Sequence, residues 1–273
     1  MREQGITPEL TKEHRHSTGG TAENGLTSLP RPPDQAFDLA DAAARRVKGS
    51  NAPVRREHIR AASEGDPPVA RLLRSSSVRL KLYLSLLWIS AGHPHDTKFQ
   101  ASSWAELLVL DDPFGRGARK INAALGYLKG EGLVRLERRA GLPSTVRLLD
   151  ERGTGDEYSR PGKGDLYIQI PASFWTRQWI SALTGPAVAI FLVLLDQRRH
   201  NEPTKRIWLS PRIAAERYGL SSDTWTRGTK ELAGHGLIHV RPAPVNEHTW
   251  GLKRRRNTYL VNMDHLDDGP RWE

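Results

Sequence analysis

The sequence of 273 residues contains no cysteine and no long uninterrupted apolar segment. Without cysteine the chain can form neither disulfides nor thiolate metal sites, which fits a reducing compartment. The opening MREQGITPEL lacks the apolar core of a signal peptide. The two most hydrophobic runs, LKLYLSLLWISA and PAVAIFLVLL, are shorter than the roughly 20 residues that a membrane-spanning helix needs. We therefore expect a soluble cytoplasmic protein without a membrane partner.

The sequence also lacks the short motifs of common catalytic sites. It has no Gly-rich phosphate loop, zinc-binding helix motif or Ser-His-Asp signature. The segment HPHD, residues 93–96, superficially resembles the paired histidines that hold a divalent metal in rolling-circle nucleases. In those enzymes the pair lies on a strand, whereas here it follows a helix and a Gly, with Pro between the histidines. We predict a surface loop, no metal, no cofactor and no catalysis; a metal-dependent nuclease is the enzymatic alternative.

What the sequence does have is positive charge. It contains 41 Lys and Arg against 31 Asp and Glu, which gives a formal net charge of +10, and its pI is about 10.1. Such a balance favours polyanionic partners such as nucleic acid or an anionic membrane surface, and charge alone does not choose between them.

Residues 1–75 differ in composition from the rest of the chain. The stretch STGGTAENGLTSLPRPPD is rich in Gly, Ser, Thr and Pro, so it cannot bury enough apolar surface to offset its chain entropy. The stretch DQAFDLADAAARRVKG, residues 34–49, has good helix formers and a Gly stop, which predicts a short isolated helix. We expect this segment to be a largely disordered tail that is dispensable for folding.

The remainder of the chain contains a repeat. YLKGEGLVRL and ELAGHGLIHV share one pattern, in which Gly132 and Gly236 are equivalent and 104 residues apart (236 − 132). That period is too long for a solenoid and indicates duplicated domains. Between the copies, ERGTGDEYSRPGKG reads as a linker. The predicted organisation is a first domain, a linker, a second domain and a C-terminal tail, at residues 76–150, 151–164, 165–265 and 266–273.

Each copy has the same predicted elements: an apolar helix, a second helix, a break, a third helix and two strands. The fold class is therefore α+β and mainly helical. In the first copy the second helix begins at Ser103, which forms a capping box with Glu106, and the third covers residues 116–129. In the second copy the second helix begins at the Ser-Pro of SPRIAAERYG, and the third covers residues 223–233. The aliphatic first helices have almost no polar face and should be buried centrally.

The stretch IAAERYGLSSDTWTRGTKELAGHGLI resembles the winged helix-turn-helix of bacterial regulators, with Ala in its first helix, Gly-Leu-Ser at the turn and Gly-Leu-Ile after the recognition helix. The resemblance covers roughly residues 78–150 and 165–263, and it is sharper in the second copy. It implies two winged-helix domains in tandem. In this family the helix after the turn enters the major groove, and the wing touches phosphate or the minor groove.

Helical spacing supports a reading face independently of the resemblance. Trp225, Thr229 and Leu232 recur on one side of the third helix, and the polar residues occupy the other. Arg can read guanine in the major groove, Asn can read adenine, and clustered wing arginines neutralise phosphates. The candidate DNA-binding residues are Arg116, Arg119, Lys120, Asn122, Arg138 and Arg139 in the first copy, and Ser222, Thr224, Thr226, Arg227, Lys230, Lys253, Arg254, Arg255 and Arg256 in the second.

One feature of these helices favours DNA binding and two weaken that interpretation. The helix start at Arg116 favours phosphate binding through its free N–H groups. Asp223 and Glu231 place negative charge on the second recognition helix. Gly228 in the middle of that helix costs about 1 kcal/mol relative to Ala.

The predicted function is double-stranded DNA binding by a nucleoid-associated transcriptional regulator. The alternative is a replication initiator of a plasmid or mobile element, because YIQIPASFWTRQWISALTGPAVAIFLVLLDQ resembles the stretch before the helix-turn-helix in that group. A protein-binding scaffold would instead need apolar residues on the third helix or wing, and those surfaces are basic. The sequence does not determine the DNA target or the oligomeric state.

Overall fold

The computed structural model describes residues 27–61, 65–137, 143–198, 204–244 and 255–273. These residues form an α+β structure with many helices and small sheets. The helices are α1 (Asp34–Arg46), α2 (Arg56–Ile59), α3 (Pro68–Leu73), α4 (Ser77–Ile89), α5 (Ala101–Leu107), α6 (Ala118–Gly130), α7 (Ser173–Thr176), α8 (Trp179–Ala182), α9 (Gly185–Gln197), α10 (Pro211–Tyr218), α11 (Ser222–Gly234) and α12 (His265–Asp268). The strands are β1 (Ser28–Leu29), β2 (Ala52–Arg55), β3 (Asp96–Thr97), β4 (Val134–Glu137), β5 (Thr145–Leu148), β6 (Tyr167–Ile170), β7 (Ile238–Pro244), β8 (Arg255–Val261) and β9 (Arg271–Trp272).

The first repeat consists of α4, β3, α5, α6, β4 and β5. Its three strands form an antiparallel sheet in the order β3-β5-β4, with Val134 paired to Leu148 and Leu136 to Val146. A π-helical turn, Pro113–Gly117, leads into α6. As predicted, α4 is buried over most of its surface, because helices pack on several of its sides.

The second repeat places α9, α10, α11, β7 and β8 in the same order. Ile207 forms an antiparallel bridge to Tyr259 of β8, at the position that β3 occupies beside β5. Gly132 and Gly236 both have φ in the left-handed region, at 70° and 75°. Each lies just after its helix, where glycine adopts this conformation without a Cβ clash. The predicted repeat of elements is thus present in the structure.

The two repeats share one hydrophobic core. The ring of Trp88 on α4 stacks on Trp175 with centroids 4.6 Å apart. Trp175 Nε1 donates a hydrogen bond to Ser85 Oγ at 3.0 Å, and Lys81 Nζ donates to the Ser181 carbonyl at 3.1 Å. These contacts cross from α4 to the segment before α9, so the repeats are joined by packed side chains as well as by the chain.

The segment predicted as a linker, residues 151–164, is also packed. The Glu151 side chain is completely buried and accepts a hydrogen bond from the Arg55 backbone N–H at 2.8 Å. Burial raises the pKa of Glu151 to about 8, and the contacts with Arg55 oppose that shift. The buried His58 ring places Nδ1 2.9 Å from the Glu151 carbonyl oxygen. The segment predicted as a linker is therefore packed at this end, where the Glu151 carboxylate binds Arg55 and the Glu151 carbonyl oxygen lies beside His58.

The structure differs most from the sequence prediction in the N-terminal tail, residues 1–75. The helix expected at residues 34–49 is confirmed as α1, but it is not isolated: Ala36, Ala40 and Ala43 are buried, and Gln178 Nε2 donates to the Ala36 carbonyl at 2.8 Å. Strand β2 pairs antiparallel with β6. The described residues between 27 and 75 therefore belong to the fold, and the prediction that this part of the chain is disordered is wrong. Residues 1–26 lie outside the described residues.

A buried ion cluster fixes this segment to the second repeat. The Asp196 side chain on α9 has no exposed surface, and its oxygens lie 2.6 Å from Arg56 Nε and 2.6 Å from Arg60 Nη2. The Tyr218 hydroxyl of α10 donates to the same carboxylate at 2.7 Å. Since a buried charge must be paired, α2 is held against α9 and α10.

Two smaller predictions also differ from the structure. Helix α5 begins at Ala101 after Gln100, so Ser103 lies inside the helix and the capping box with Glu106 does not form. The expected tail at 266–273 contains buried Leu266 and strand β9, which pairs with β1. Among the described residues, no helix is long and apolar enough to cross a membrane.

Candidate nucleic-acid interface

Helix α11 has two sharply different faces. Trp225, Gly228 and Leu232 are buried, and the Trp225 indole N–H donates to the Tyr259 hydroxyl at 3.1 Å. The prediction that Trp225 and Leu232 face inward is confirmed. The exposed side carries Ser222, Asp223, Thr226, Arg227 and Lys230. Since positions three and four apart share a helix face, these side chains form one continuous polar surface.

The N-terminal end of α11 is fixed by a side-chain cap. Ser221 is the N-cap, and its hydroxyl oxygen accepts from Thr224 N at 3.1 Å. The Thr224 hydroxyl lies 2.9 Å from the same oxygen, and this side chain is only partly exposed. Thr224 therefore belongs to the cap. The fully exposed candidates on α11 are Ser222, Thr226, Arg227 and Lys230.

Arg227 is already engaged in an ion pair on this face. Its Nε lies 2.9 Å from Asp223 Oδ2, and the two side chains are 64% and 72% exposed. Exposed pairs of this kind contribute only about 0 to 1 kcal/mol. Breaking this pair to free the Arg227 guanidinium would therefore cost little.

The two features expected to weaken α11 have structural explanations. A Cβ on Gly228 would lie 2.6 Å from Ile190 Cγ1 and 2.8 Å from the Pro186 carbonyl oxygen, so glycine allows α11 to approach α9 closely. The Glu231 carboxylate accepts from the Thr184 backbone N–H at 2.6 Å, at the start of α9. Glu231 thus binds a helix N-terminus instead of adding negative charge to the outer face.

Helix α6 carries the corresponding candidates of the first repeat. Arg116, in the π-helical turn before α6, and Arg119, Lys120 and Asn122 on α6 are all exposed. Asn122 also lines a surface groove together with Gln100. The four side chains are thus exposed on α6 and on the turn that leads into it.

The phosphate site predicted at the start of this helix is occupied by the protein itself. The Asp112 carboxylate accepts from Arg116 N at 2.8 Å and Gly115 N at 3.1 Å. The hydrogen bond from the Arg116 N–H, with that from Gly115, lowers the pKa of Asp112 below its usual value. A Cβ on Gly115 would overlap this carboxylate. Because Asp112 takes the free N–H groups, a phosphate would find no vacant donors here.

The ribbon of β7 and β8 separates two candidates that the sequence grouped together. Side chains alternate along a strand, so Arg255 lies on the face of Tyr259 and Val261, which pack toward α11, and Arg256 lies on the opposite face. The four other wing candidates, Arg138, Arg139, Lys253 and Arg254, lie outside the described residues.

Three residues on the same face as Arg256 were not predicted from the sequence: Arg206, Trp208 and Arg241. The Arg256 guanidinium lies over the Trp208 ring, 4.3 Å from its centroid. Arg206 and Arg241 lie near it along the ribbon. The signal for this face was present in RIWL, where Ile207 and Leu209 are buried and alternate with Arg206 and Trp208.

The histidines of HPHD lie between α4 and β3. His95 Nδ1 is 3.1 Å from the Ser90 carbonyl oxygen, and its ring packs edge-on against Tyr158. In the described part of the chain there is no group of three or more His, Cys, Asp or Glu side chains arranged to hold a metal ion.

Comparisons of the chain with protein-family models, with curated proteins and with solved structures each found no match.

Proposed function

We propose that this protein binds double-stranded DNA through two winged helix-turn-helix units and acts as a transcriptional regulator. The observation that carries the proposal is the outer face of α11, where Ser222, Thr226 and Lys230 recur at intervals of four beside Arg227. The opposite face is locked against α9 and β8. A rigid helix with one polar face suits the major groove, which is about 12 Å wide.

The order of elements supports the same proposal. Each repeat has three helices followed by an antiparallel ribbon, and the short segment before its second helix pairs with the last strand. This arrangement is similar to the winged helix-turn-helix, in which α6 and α11 would be the recognition helices. The chemistry of the face is also suitable, since Arg227 can bind guanine bidentately and Asp223 can accept from cytosine N4.

One observation favours replication initiation as a second candidate. Helix-turn-helix proteins commonly bind two half-sites as dimers, with one recognition helix from each chain. Here a single chain carries two such helices on one continuous core. A single chain would then bind a bipartite site with fixed spacing, as an initiator at one origin requires. A genomic footprint of the tagged protein separates the candidates, because scattered promoters indicate regulation and one locus beside an origin indicates initiation.

The first test is binding of the full chain to a duplex selected from a random library. Cationic contacts to phosphate release counterions, so the affinity should fall steeply as salt is raised from 50 to 200 mM, by about 10³-fold for six contacts. Affinity that is independent of salt, or no binding at low salt, would contradict the proposal.

The second test separates reading from anchoring. Arg227→Ala should weaken binding to the selected duplex by about 1 to 3 kcal/mol and change binding to random duplex little. Arg31→Ala is the matched control, because it also removes an exposed arginine that is paired with an exposed carboxylate, Asp34, at 2.8 Å, but lies outside both helices. Equal loss of affinity on selected and random DNA would show that Arg227 only anchors the backbone.

A further inference from the structure

The face of the β7 and β8 ribbon that points away from α11 carries several arginines and an exposed tryptophan. The register pairs Arg241 with Thr258 and Ala243 with Arg256, and these positions alternate with the buried Tyr259 and Val261. Arg206 lies across this face, with Nε donating to Thr258 Oγ1 at 2.8 Å and Nη2 donating to the His239 carbonyl at 2.9 Å. We call the surface formed by Arg206, Trp208, Arg241 and Arg256 the outer ribbon face.

No carboxylate of the described residues neutralises the positive charge of the outer ribbon face. In that part of the chain, none of Arg206, Arg241 and Arg256 forms an ion pair, whereas Arg56 and Arg60 pair with Asp196. Partial burial and then the charge of Arg241 lower the pKa of Arg206 below its usual value, although it remains protonated. Three uncompensated guanidinium groups on one small surface attract a polyanion.

Trp208 gives this surface a second property. Its side chain is 43% exposed, whereas Trp88, Trp104, Trp175 and Trp179 are completely buried. The Arg256 guanidinium rests on its ring, so an indole and a planar cation together form an open stacking surface. Unpaired bases stack on aromatic rings and on guanidinium planes alike.

We propose that the outer ribbon face binds single-stranded nucleic acid. Trp208 and Arg256 stack with an unpaired base, and Arg206 and Arg241 contact the flanking phosphates. In a duplex the bases are stacked on one another and a flat strand surface cannot reach their faces, so the indole contributes affinity only to an unpaired strand. This activity goes beyond the proposed duplex recognition and does not depend on it, because Arg206, Trp208 and Arg241 are not among the candidate duplex contacts. Arg256 is the one residue that both proposals use.

The experiment measures binding of the full chain to a fluorescent, mixed-sequence single-stranded DNA of about 15 nucleotides, within the usual site size of such surfaces. Trp208→Ala should weaken this binding by about 5- to 150-fold, which corresponds to the loss of one stacked base. Trp208→Phe should retain most of the affinity, because it keeps an aromatic ring. Arg241→Gln should weaken binding and make the salt dependence shallower.

The controls separate this site from the proposed duplex site. Leu166→Ala removes another exposed apolar side chain, from the residue before β6, and should bind the single strand as the unaltered chain does. The same variants are titrated against the matching duplex, where Trp208→Ala should have little effect and Arg227→Ala should have a large one. Circular dichroism and thermal melting check that each variant is folded.

Three results would overturn the inference. They are no binding of single strands by the unaltered chain, unchanged affinity of Trp208→Ala, and equal losses by Trp208→Ala on single strands and duplex. If Trp208→Ala does not fold, Arg241→Gln decides instead, since Arg241 is exposed and is not among the candidate duplex contacts. A chain that binds single strands through Trp208 but does not bind duplex would refute the proposed function and leave this inference standing.

Discussion

Replacing Gly228 with alanine tests the packing of α11 directly. Gly228 lies in the middle of a 13-residue helix, where the sequence alone predicts that alanine would stabilise the fold by about 1 kcal/mol. The structure predicts the opposite. The added methyl group would lie 2.6 Å from Ile190 Cγ1 and 2.8 Å from the Pro186 carbonyl oxygen, and real Cβ atoms do not approach other atoms so closely.

The magnitude follows from these two opposing effects. Overpacking a well-filled core costs about 1 to 3 kcal/mol. The contact with Pro186 is to backbone, which cannot rotate away as the Ile190 side chain can, so we expect the upper half of this range. After the gain in helix propensity is subtracted, Gly228→Ala should lower the free energy of unfolding by about 1 to 2 kcal/mol.

The assay is urea denaturation of the full chain followed by circular dichroism. Gly126→Ala is the matched control, since Gly126 also lies inside a 13-residue helix but a Cβ there would meet nothing within 4 Å. This control should raise the free energy of unfolding by up to about 1 kcal/mol. The two variants should therefore shift the urea midpoint in opposite directions with similar slopes.

The reasoning would be refuted if Gly228→Ala were as stable as the unaltered chain, or more stable. That outcome would mean that α11 and α9 can separate by several tenths of an ångström without a loss of stability. The contact between them would then not hold α11 rigidly. A loss of stability in Gly126→Ala would instead show that the propensity argument fails in this protein.

Other predictions can be tested by thermal or urea denaturation. Removing residues 1–75 should lower the melting temperature by many degrees or prevent folding, because α1, β2 and the arginines that pair with Asp196 are lost. Removal of residues 1–26 is the control. An unchanged melting temperature for the longer deletion would contradict the fold. Burial lowers the pKa of His58 to about 4. The unfolded chain therefore binds a proton that the folded chain does not as the pH falls from 6.5 to 4, so the unaltered chain should lose about 3 kcal/mol relative to His58→Gln over that window. A constant difference between the two chains from pH 7 to pH 4 would show that His58 is not buried in its neutral form. Finally, Asp223→Asn should change the free energy of unfolding by less than about 1 kcal/mol, because its pair with Arg227 is exposed; a larger loss would mean that Arg227 is not free to leave that pair.

Much of the local structure could be predicted from the sequence because its causes are local. The uniform apolarity of α4 and α9 predicts central helices, and Ser210 followed by Pro marks the start of α10. Gly132 and Gly236 end their helices because the left-handed backbone favours glycine. The spacing of Trp225 and Leu232 also predicts correctly which side of α11 is buried. Each of these inferences needs only neighbouring residues and a period of 3.6.

The candidate site was less predictable, since side chains that are distant in sequence decide what is free to bind. The sequence could not show that Glu231 binds the start of α9. It predicted a phosphate site at the helix start near Arg116, although the Asp112 carboxylate accepts from the N–H groups of Gly115 and Arg116 there. It also grouped Arg255 with Arg256, which the strand register assigns to opposite faces. The DNA contacts themselves stay a prediction.

The sequence by itself determined the order of elements, their repetition and the polar face of α11, because periodicity and helix termini are encoded over a few residues. Only the tertiary structure decided that residues 27–61 complete the fold. An alanine-rich helix gains little by itself, and it becomes stable when Ala36, Ala40 and Ala43 are buried where α1 packs against α4, α5 and α7. The same holds for Gly228, which looks like a weakness in a helix and is a requirement of the contact between α11 and α9, because that contact joins residues about 40 positions apart.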